Sequence, residues 1–116
     1  MSAAKDQDFE MWEKDSKVLS FTHEDEDGNA VNITGFSLVW QLWSSKHDAS
    51  GTPIIEKSGA SISITDAPNG VVEVSLDPAD TDGKSGIRYH ELRATDASGN
   101  EQMVATGTVT IHDNIE

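Results

Sequence analysis

The stretch that decides the fold spans residues 86–111. It reads Gly-Ile-Arg-Tyr-His-Glu-Leu-Arg-Ala-Thr over 86–95, Asp-Ala-Ser-Gly-Asn over 96–100 and Glu-Gln-Met-Val-Ala-Thr-Gly-Thr-Val-Thr-Ile over 101–111. Two runs rich in β-branched and aromatic residues that flank a short cluster of turn residues predict a β-hairpin. The second run alternates with period two, which predicts one buried and one solvent-facing side. We expect one side to hold Met103, Ala105, Gly107, Val109 and Ile111, and the other to hold Val104, Thr106, Thr108 and Thr110.

Shorter runs of the same kind precede this hairpin. We expect strands at 17–22, 30–33, 36–44, 53–57, 60–65 and 70–76. Their inward positions are Leu19, Phe21, Phe36, Leu38, Trp40, Leu42, Ile62, Ile64, Val72, Val74 and Leu76. Short strands separated by turn signals at a spacing of roughly 8–12 residues are typical of a β-sandwich. The prediction is therefore an all-β fold, an immunoglobulin-like antiparallel β-sandwich of about 7–9 short strands with an extended N-terminal arm.

Turn residues and prolines set the limits of these predicted strands. The segments 27–29 and 66–70 are turn sequences, residues 45–52 form a loop, and Pro53 places the strand that follows at a sheet edge. Residues 77–85 are a polar connection in which Pro78 begins one helical turn.

Three segments divide the chain. Residues 1–14 are the N-terminal arm, 15–112 the β-sandwich domain and 113–116 the C-terminal tail. The arm is polar and acidic except for Phe9, Met11 and Trp12. Two interpretations of these three residues remain open: they cover the edge of the domain's own core, or they dock on a neighbouring subunit.

The charge limits the possible partners. The chain of 116 residues has 21 acidic and 8 basic residues, a formal net charge of -13. Such a field repels phosphates, which argues against binding nucleic acid or an anionic membrane. Two interpretations of the charge stay open. One is a soluble surface that resists aggregation. The other is adaptation to the high salt of a halophilic host, where the Debye length is about 3 Å at 1 M.

The chain has no cysteine, so disulfides and Cys-based zinc sites are excluded. Its start lacks the apolar region of a secretory signal, and no run approaches the roughly 18 apolar residues of a membrane helix. We expect a soluble protein made in the cytoplasm.

No motif indicates catalysis, a cofactor or a metal. Aligning Gly28 with the invariant glycine of an EF-hand loop puts Asp25 and Asp27 at ligand positions, but His23 and Thr34 then stand at the first and closing positions, where both are wrong. The loop 80–83 fails the same comparison. None of the four histidines has a zinc-type spacing, and His90 is expected to be a surface or interface residue. There is no Gly-x-Ser-x-Gly elbow and no phosphate loop. We expect no enzymatic activity.

Apolar residues outside the expected core are more informative. Val39 and Trp43 alternate with the inward residues of their strand, and Trp12 lies in the arm. Aromatic residues are enriched at interface centres. Phe9, Met11, Trp12, Val39 and Trp43 are therefore the candidate partner contacts. The alternative is a second packed layer within the monomer. The threonine side of the hairpin is a further candidate surface for a neighbouring subunit.

Several segments resemble a known group of proteins. They are Asp15-Ser16, 27–35, the strand 36–43, 66–74, 77–81, 86–92 and 107–111. Their order and spacing are similar to those of small β-sandwich domains in tailed-phage structural proteins, such as the N-terminal domain of the baseplate upper protein. The similarity covers residues 15–111, and it departs from the common pattern at His90, where a second aromatic residue is usual.

The resemblance implies a virion protein without catalytic residues. It would act in the tail, baseplate or fibre attachment, bind other virion proteins, and form a homo-oligomer, a trimer or hexamer. A capsid decoration protein is a close alternative. A carbohydrate- or protein-binding module of a cell-surface protein is an alternative from another class.

Overall fold

The computed structural model describes residues 7–44 and 52–113. Over these residues the chain is almost entirely β, as the alternation predicts. The strands are β1 (Phe9–Trp12), β2 (Lys17–Thr22), β3 (Ser37–Trp43), β4 (Ile55–Ser58), β5 (Ile62–Asp66), β6 (Val71–Leu76), β7 (Gly86–Thr95) and β8 (Glu101–His112), and the helical turn is α1 (Pro78–Thr81). Across these described ranges, no helix has the length and apolar character needed to cross a membrane.

The strands form two sheets. One has the order β1-β8-β7-β3-β4 and the other the order β2-β6-β5. All neighbours are antiparallel except β1, which runs parallel to β8. Immunoglobulin sandwiches place strands B, E and D in one sheet and G, F and C in the other, with C′ added beside C in the variable type. The two sheets match these sets in chain order, so the fold is the predicted immunoglobulin-like β-sandwich.

The predicted hairpin is formed by β7 and β8, which lie inside the five-stranded sheet between β1 and β3. Its turn closes because Asp96 Oδ1 accepts the main-chain N–H of Ser98 and Asn100, both at 2.9 Å. Gly99 supplies the positive φ of 89° that the turn requires. These main-chain donors, that of Asn100 first, hold the pKa of the Asp96 carboxyl below its usual range. The turn is therefore specified by local sequence.

A β-bulge corrects the predicted faces of β8. Leu92 pairs with Ala105 and Arg93 with Met103, so Val104 is an extra residue in the ladder. Val104 and Ala105 are both buried, and Met103 faces away from the core and is half-buried. The prediction that Met103 points inward and Val104 outward was wrong, because a bulge shifts every residue beyond it to the other face. From Ala105 onward the predicted alternation is confirmed.

The core lies between the sheets. It is built from alternate residues of both, and it contains the predicted Leu19, Phe21, Leu38, Trp40, Leu42, Ile62, Val72, Val74 and Leu76. Each fully buried Leu, Ile, Val or Phe contributes about 1.5–3 kcal/mol relative to an exposed side chain. Two of the residues that were predicted to point inward are not fully buried. Phe36 is half-buried against the core, and Ile64 is 38% exposed because β5 is a border strand.

His90 is part of this core and does not lie on the surface. Its side chain is 0% exposed, and its ring contacts Trp40, Phe21 and Phe9 at centroid distances of 6.0, 5.8 and 5.3 Å. In antibody domains a Trp of strand C packs against a disulfide between strands B and F. In this cysteine-free chain, Phe21, Trp40 and His90 occupy the matching strands β2, β3 and β7. His90 therefore takes part in the packing of the core between the two sheets.

The segment predicted as an arm is a strand of the sandwich. Phe9 pairs with Val109 and Trp12 with His112, and Met11 is 6% exposed. The next turn is fixed as well, since Glu13 Oε2 accepts the N–H of Gly83 at 2.6 Å. The boundary expected after residue 14 therefore does not separate an arm from the domain. Of the two interpretations, residues 9–12 follow the first and cover the domain's own edge; residues 1–6 lie outside the described part.

The predictions for the segments before and after β3 have different outcomes. The predicted strand 30–33 is absent from the structure: Ala30 makes only an isolated bridge with Glu24. The predicted loop 45–52 lies outside the described residues except for Thr52. β4 lies at the border of the five-stranded sheet, as Pro53 predicts. From β4 the chain passes through Gly59–Ser61 into β5 of the other sheet.

The polar connection 77–85 contains the helical turn predicted from Pro78. The Asp77 N–H donates to Asp80 Oδ2 at 2.6 Å, and Lys57 Nζ lies 2.9 Å from the same oxygen. Burial on its own would raise the pKa of Asp80, but the contacts with Lys57 and Asp77 outweigh it and lower that pKa. The Lys57–Asp80 ion pair therefore links the connection 77–85 to β4.

Candidate interaction surface

The outer face of the five-stranded sheet is the surface that the candidate contacts share. Because Leu38, Trp40 and Leu42 point into the core, Val39 and Trp43 point outward from β3. Both are half-buried. The outer face includes Val39, Gln41 and Trp43 of β3, Ile87, Tyr89, Glu91 and Arg93 of β7, Met103, Thr106, Thr108 and Thr110 of β8, and Glu10 and Trp12 of β1.

Apolar side chains gather at one end of this face. Trp43 pairs with Tyr89, and Tyr89 pairs with Thr108 on the following strand. Ile87 lies two positions from Tyr89 on the same strand, opposite Thr110, and is 71% exposed. We call these five residues the aromatic patch. The patch contains no Asp, Glu, Lys, Arg or His, although the chain as a whole is strongly acidic.

The border strand β1 extends this surface. Trp12 is 55% exposed, and its ring lies against His112 with centroids 4.9 Å apart. Glu10 Oε1 lies 3.3 Å from His112 Nε2. Since Glu10 pairs with Thr110, β1 joins the aromatic patch to Trp12 across the sheet.

The opposite end of the face is polar. Gln41 Nε2 donates to Glu56 Oε2 at 2.8 Å, and Arg93 Nε lies 3.5 Å from Glu91 Oε1. The second contact is a surface ion pair, and such pairs contribute about 0–1 kcal/mol, so it adds little to stability. Glu56, Glu91 and Arg93 form a charged border beside the uncharged patch.

The structure separates the five predicted contacts. Trp12, Val39 and Trp43 are on the outer face, whereas Met11 is buried in the core and Phe9 packs against it. Sequence reasoning missed Ile87 and Tyr89. A signal for them existed: once Leu92 and Ala94 are placed inward, the alternation of β7 puts residues 87 and 89 outward.

The residues that lead into β1 are held on the core side of this sheet by a hydrogen bond to His90. Trp40 Nε1 donates to His90 Nδ1 at 3.1 Å, so His90 is the neutral tautomer whose Nε2 donates to the Gln7 carbonyl at 2.7 Å. Burial lowers the pKa of His90, and the Gln7 carbonyl and the Asp8 carboxylate offset this only in part. This residue therefore acts as a neutral structural link between β1, β3 and β7.

The acidic turn 25–29 has the hydrogen bonds of a hairpin turn. Asp25 Oδ1 accepts the main-chain N–H of Asp27 and Asn29 at 2.9 and 3.0 Å. His23, which precedes it, is buried and contacts Gln102 through Nε2 at 2.7 Å. Within the ranges that the structure describes, no three or more His, Cys, Asp or Glu side chains are grouped to hold a metal ion.

Comparison with known proteins gives no close relative. No family model and no curated protein matches the chain. One similar solved structure is of ICOS in complex with ICOS-L and an anti-ICOS-L VNAR domain, with 10% identity and a TM-score of 0.46. The match covers 97% of this chain, which spans 56% of the length of that one. Another is AggA, the major subunit of aggregative adherence fimbriae type I from Escherichia coli, with 13% identity and a TM-score of 0.31; 97% of this chain and 91% of that chain are covered.

Proposed function

We propose that this protein is a non-enzymatic structural module that binds other proteins through the outer face of its five-stranded sheet. One observation supports this most: Trp43, Ile87 and Tyr89 lie side by side on an uncharged patch of a chain with a net charge of -13. Interface centres are depleted in charged residues and enriched in aromatic ones, and a few such residues supply most of the binding free energy.

We further propose, on the resemblance over residues 15–111, that the module belongs to the particle of a tailed virus. Its site there is the tail, the baseplate or the fibre attachment, and a capsid decoration protein is the close variant. The partners are then other virion proteins together with further copies of the chain, arranged as a trimer or hexamer. The proposed localisation of the protein is therefore the virion.

The virion part of the proposal is tested on purified particles. Particles from a culture that encodes this chain are banded in a density gradient, and the chain is quantified across the fractions by mass spectrometry. We expect a constant copy number per particle in the banded fractions. A chain absent from the banded particles would contradict the virion assignment.

The outer face is tested with charge substitutions. Ile87→Glu and Tyr89→Glu place carboxylates in the aromatic patch, and Ser63→Glu on exposed β5 of the other sheet is the matched control. Since truncating a hot-spot residue of an interface costs about 2 kcal/mol or more, we expect about tenfold or greater loss of incorporation into particles for the first two variants. Circular dichroism confirms that they fold. Equal incorporation of all three variants would refute the outer face as the binding surface.

A second candidate function uses the same surface. Trp12 is 55% exposed and lies beside His112, an arrangement that suits stacking on a sugar as well as on a protein. A carbohydrate-binding module of a cell-surface protein would bind glycans on an array and lose that binding in Trp12→Ala or Trp43→Ala. Failure to bind any glycan would exclude this second candidate.

A further inference from the structure

β2 forms a border of the three-stranded sheet. Among the described residues it pairs only with β6, along its whole length from Lys17 to Thr22. Its other side faces an open groove of about 300 Å³ that is lined by residues 17–21 and by 7–9. Lys17 Nζ lies 5.7 Å from the centre of the Phe9 ring across this groove. A border strand of this kind leaves main-chain N–H and C=O groups without a ladder partner.

The other three border strands carry features that discourage further pairing. β4 follows Pro53 and contains Glu56 and Lys57, β5 has a register shift between Ile64 and Asp66, and the four-residue β1 contains Glu10. Short strands, charges, prolines and bulges are the devices by which proteins protect sheet edges.

β2 has none of these devices between residues 18 and 22. Val18, Ser20 and Thr22 are exposed, and Val18 is 58% exposed. The stretch contains no charge, proline or glycine. Among the strands that the structure describes, it is therefore the unprotected edge, and we refer to residues 17–22 as the β2 edge.

Charge indicates what can pair there. Two copies with a net charge of -13 repel each other across most of their surfaces. The β2 edge is uncharged from 18 to 22, begins at the basic Lys17 and leads into the acidic turn 24–27. An antiparallel pair of identical edges brings the beginning of each strand to the end of the other. Each Lys17 then lies near the partner's acidic turn, which makes the contact complementary to itself.

We propose that the β2 edge pairs antiparallel with the same edge of a second copy, joining two three-stranded sheets into one of six strands. The contact is isologous, with a two-fold axis perpendicular to the sheet; a hexamer made of three such pairs contains this axis, and a closed trimer does not. Because opposite residues share a face, even-numbered residues must meet even-numbered ones. The register that overlaps all of 18–22 sets Ser20 opposite itself and Val18 opposite Thr22.

The absence of cysteine makes a direct test possible. Ser20→Cys gives each copy one thiol at the two-fold axis, within reach of disulfide formation across an antiparallel pair. Ser75→Cys is the matched control, since Ser75 is exposed on the same face of β6, one strand away from the edge. Under mild oxidation we expect a covalent dimer from Ser20→Cys only. Equal cross-linking of the two variants would overturn the proposal.

A second experiment measures reversible dimer formation without a cross-link. Sedimentation equilibrium of the unmodified chain over a concentration series is compared with Ser20→Lys, which sets two ammonium groups opposite each other, and with Ser75→Lys. We expect the dimer dissociation constant to rise at least about tenfold for Ser20→Lys and to be unchanged for Ser75→Lys. A monomer at every concentration, or no effect of Ser20→Lys, would refute the contact. Variants of the outer face lie on the other sheet, so they test the proposed function separately.

Discussion

His90 shows most clearly how one residue couples the two ends of the chain. It accepts a hydrogen bond from Trp40 and donates one to the Gln7 carbonyl, while its ring is enclosed by aromatic side chains. Protonation of Nδ1 would replace the acceptor that Trp40 needs with a second donor. The fold therefore requires the neutral imidazole.

The first prediction concerns pH. Because the pKa of folded His90 lies below its ordinary value of 6.5, the unfolded chain binds a proton first as the pH falls. Stability is thus fully present above about pH 6.5 and is lost below it, at up to about 1.4 kcal/mol per pH unit, until the folded pKa is reached. Urea unfolding between pH 7 and 5 measures this slope.

The matched variants for this measurement are His90→Gln, which cannot titrate, and His112→Gln, which removes a partly exposed histidine. His90→Gln should be less stable at pH 7 and should show a flatter profile. His112→Gln retains His90, so it should still lose stability as the pH falls from 7 to 5. An unchanged slope in His90→Gln would show that His90 is not the titrating group.

At the scale of elements, β1 is the strand whose place depends on a single glycine. A Cβ built on Gly107 would lie 2.5 Å from the Gln7 carbonyl oxygen and 2.9 Å from His90 Nε2. The close approach allows Gln7 N–H to donate to Thr106 O at 2.9 Å and Asp8 Oδ1 to accept the Thr108 N–H at 2.7 Å. A side chain at position 107 would push this end of β1 away from β8.

The second prediction is that Gly107→Ala loosens β1. Displacing Gln7 breaks its hydrogen bonds with Thr106 and His90, so we expect a loss of about 1–3 kcal/mol in the free energy of unfolding. Limited proteolysis should cut near residues 7–16 faster than in the unmodified chain. Thr108→Ala, on the same strand but facing outward, should leave both measurements nearly unchanged. Equal protection of β1 in both variants would contradict this account.

At the scale of the whole molecule, negative charge is concentrated at one end of the sandwich. The connections β2–β3, β5–β6 and β7–β8 meet there, since His23 N–H donates to the Gly70 carbonyl and His23 Nε2 contacts Gln102. The acidic residues of these connections and of the adjoining strand ends are Glu24, Asp25, Glu26, Asp27, Asp66, Asp96 and Glu101, and no Lys or Arg lies in these connections. Repulsion among these carboxylates opposes the closure of the loops.

The third prediction concerns salt. Raising NaCl from 0.01 to 1 M shortens the Debye length from about 30 to about 3 Å and screens this repulsion. We expect a gain of about 1 kcal/mol, or roughly 4 °C in the melting temperature of a domain of this size. The triple variant Glu24→Gln, Glu26→Gln, Asp27→Asn should be more stable in low salt and gain less. A melting temperature that falls with salt would contradict both this prediction and the halophilic interpretation.

The sequence by itself determined the class of fold, most of the strands and which side of them is buried. Period-two alternation in β2, β3 and β6 and the turn sequences at 66–70 and 96–100 are local, and they act in the same way in any sandwich. The outward positions of Val39 and Trp43 follow from the same alternation.

Only the tertiary structure decided the features that depend on distant partners. β1 became a strand because β8, at the far end of the chain, offers it a ladder, and His90 entered the core because Trp40 and Gln7 satisfy both ring nitrogens. Met103 changed sides through a bulge opposite Leu92 and Arg93. Local pattern cannot encode such outcomes, because the free energy of each depends on contacts between residues far apart in sequence.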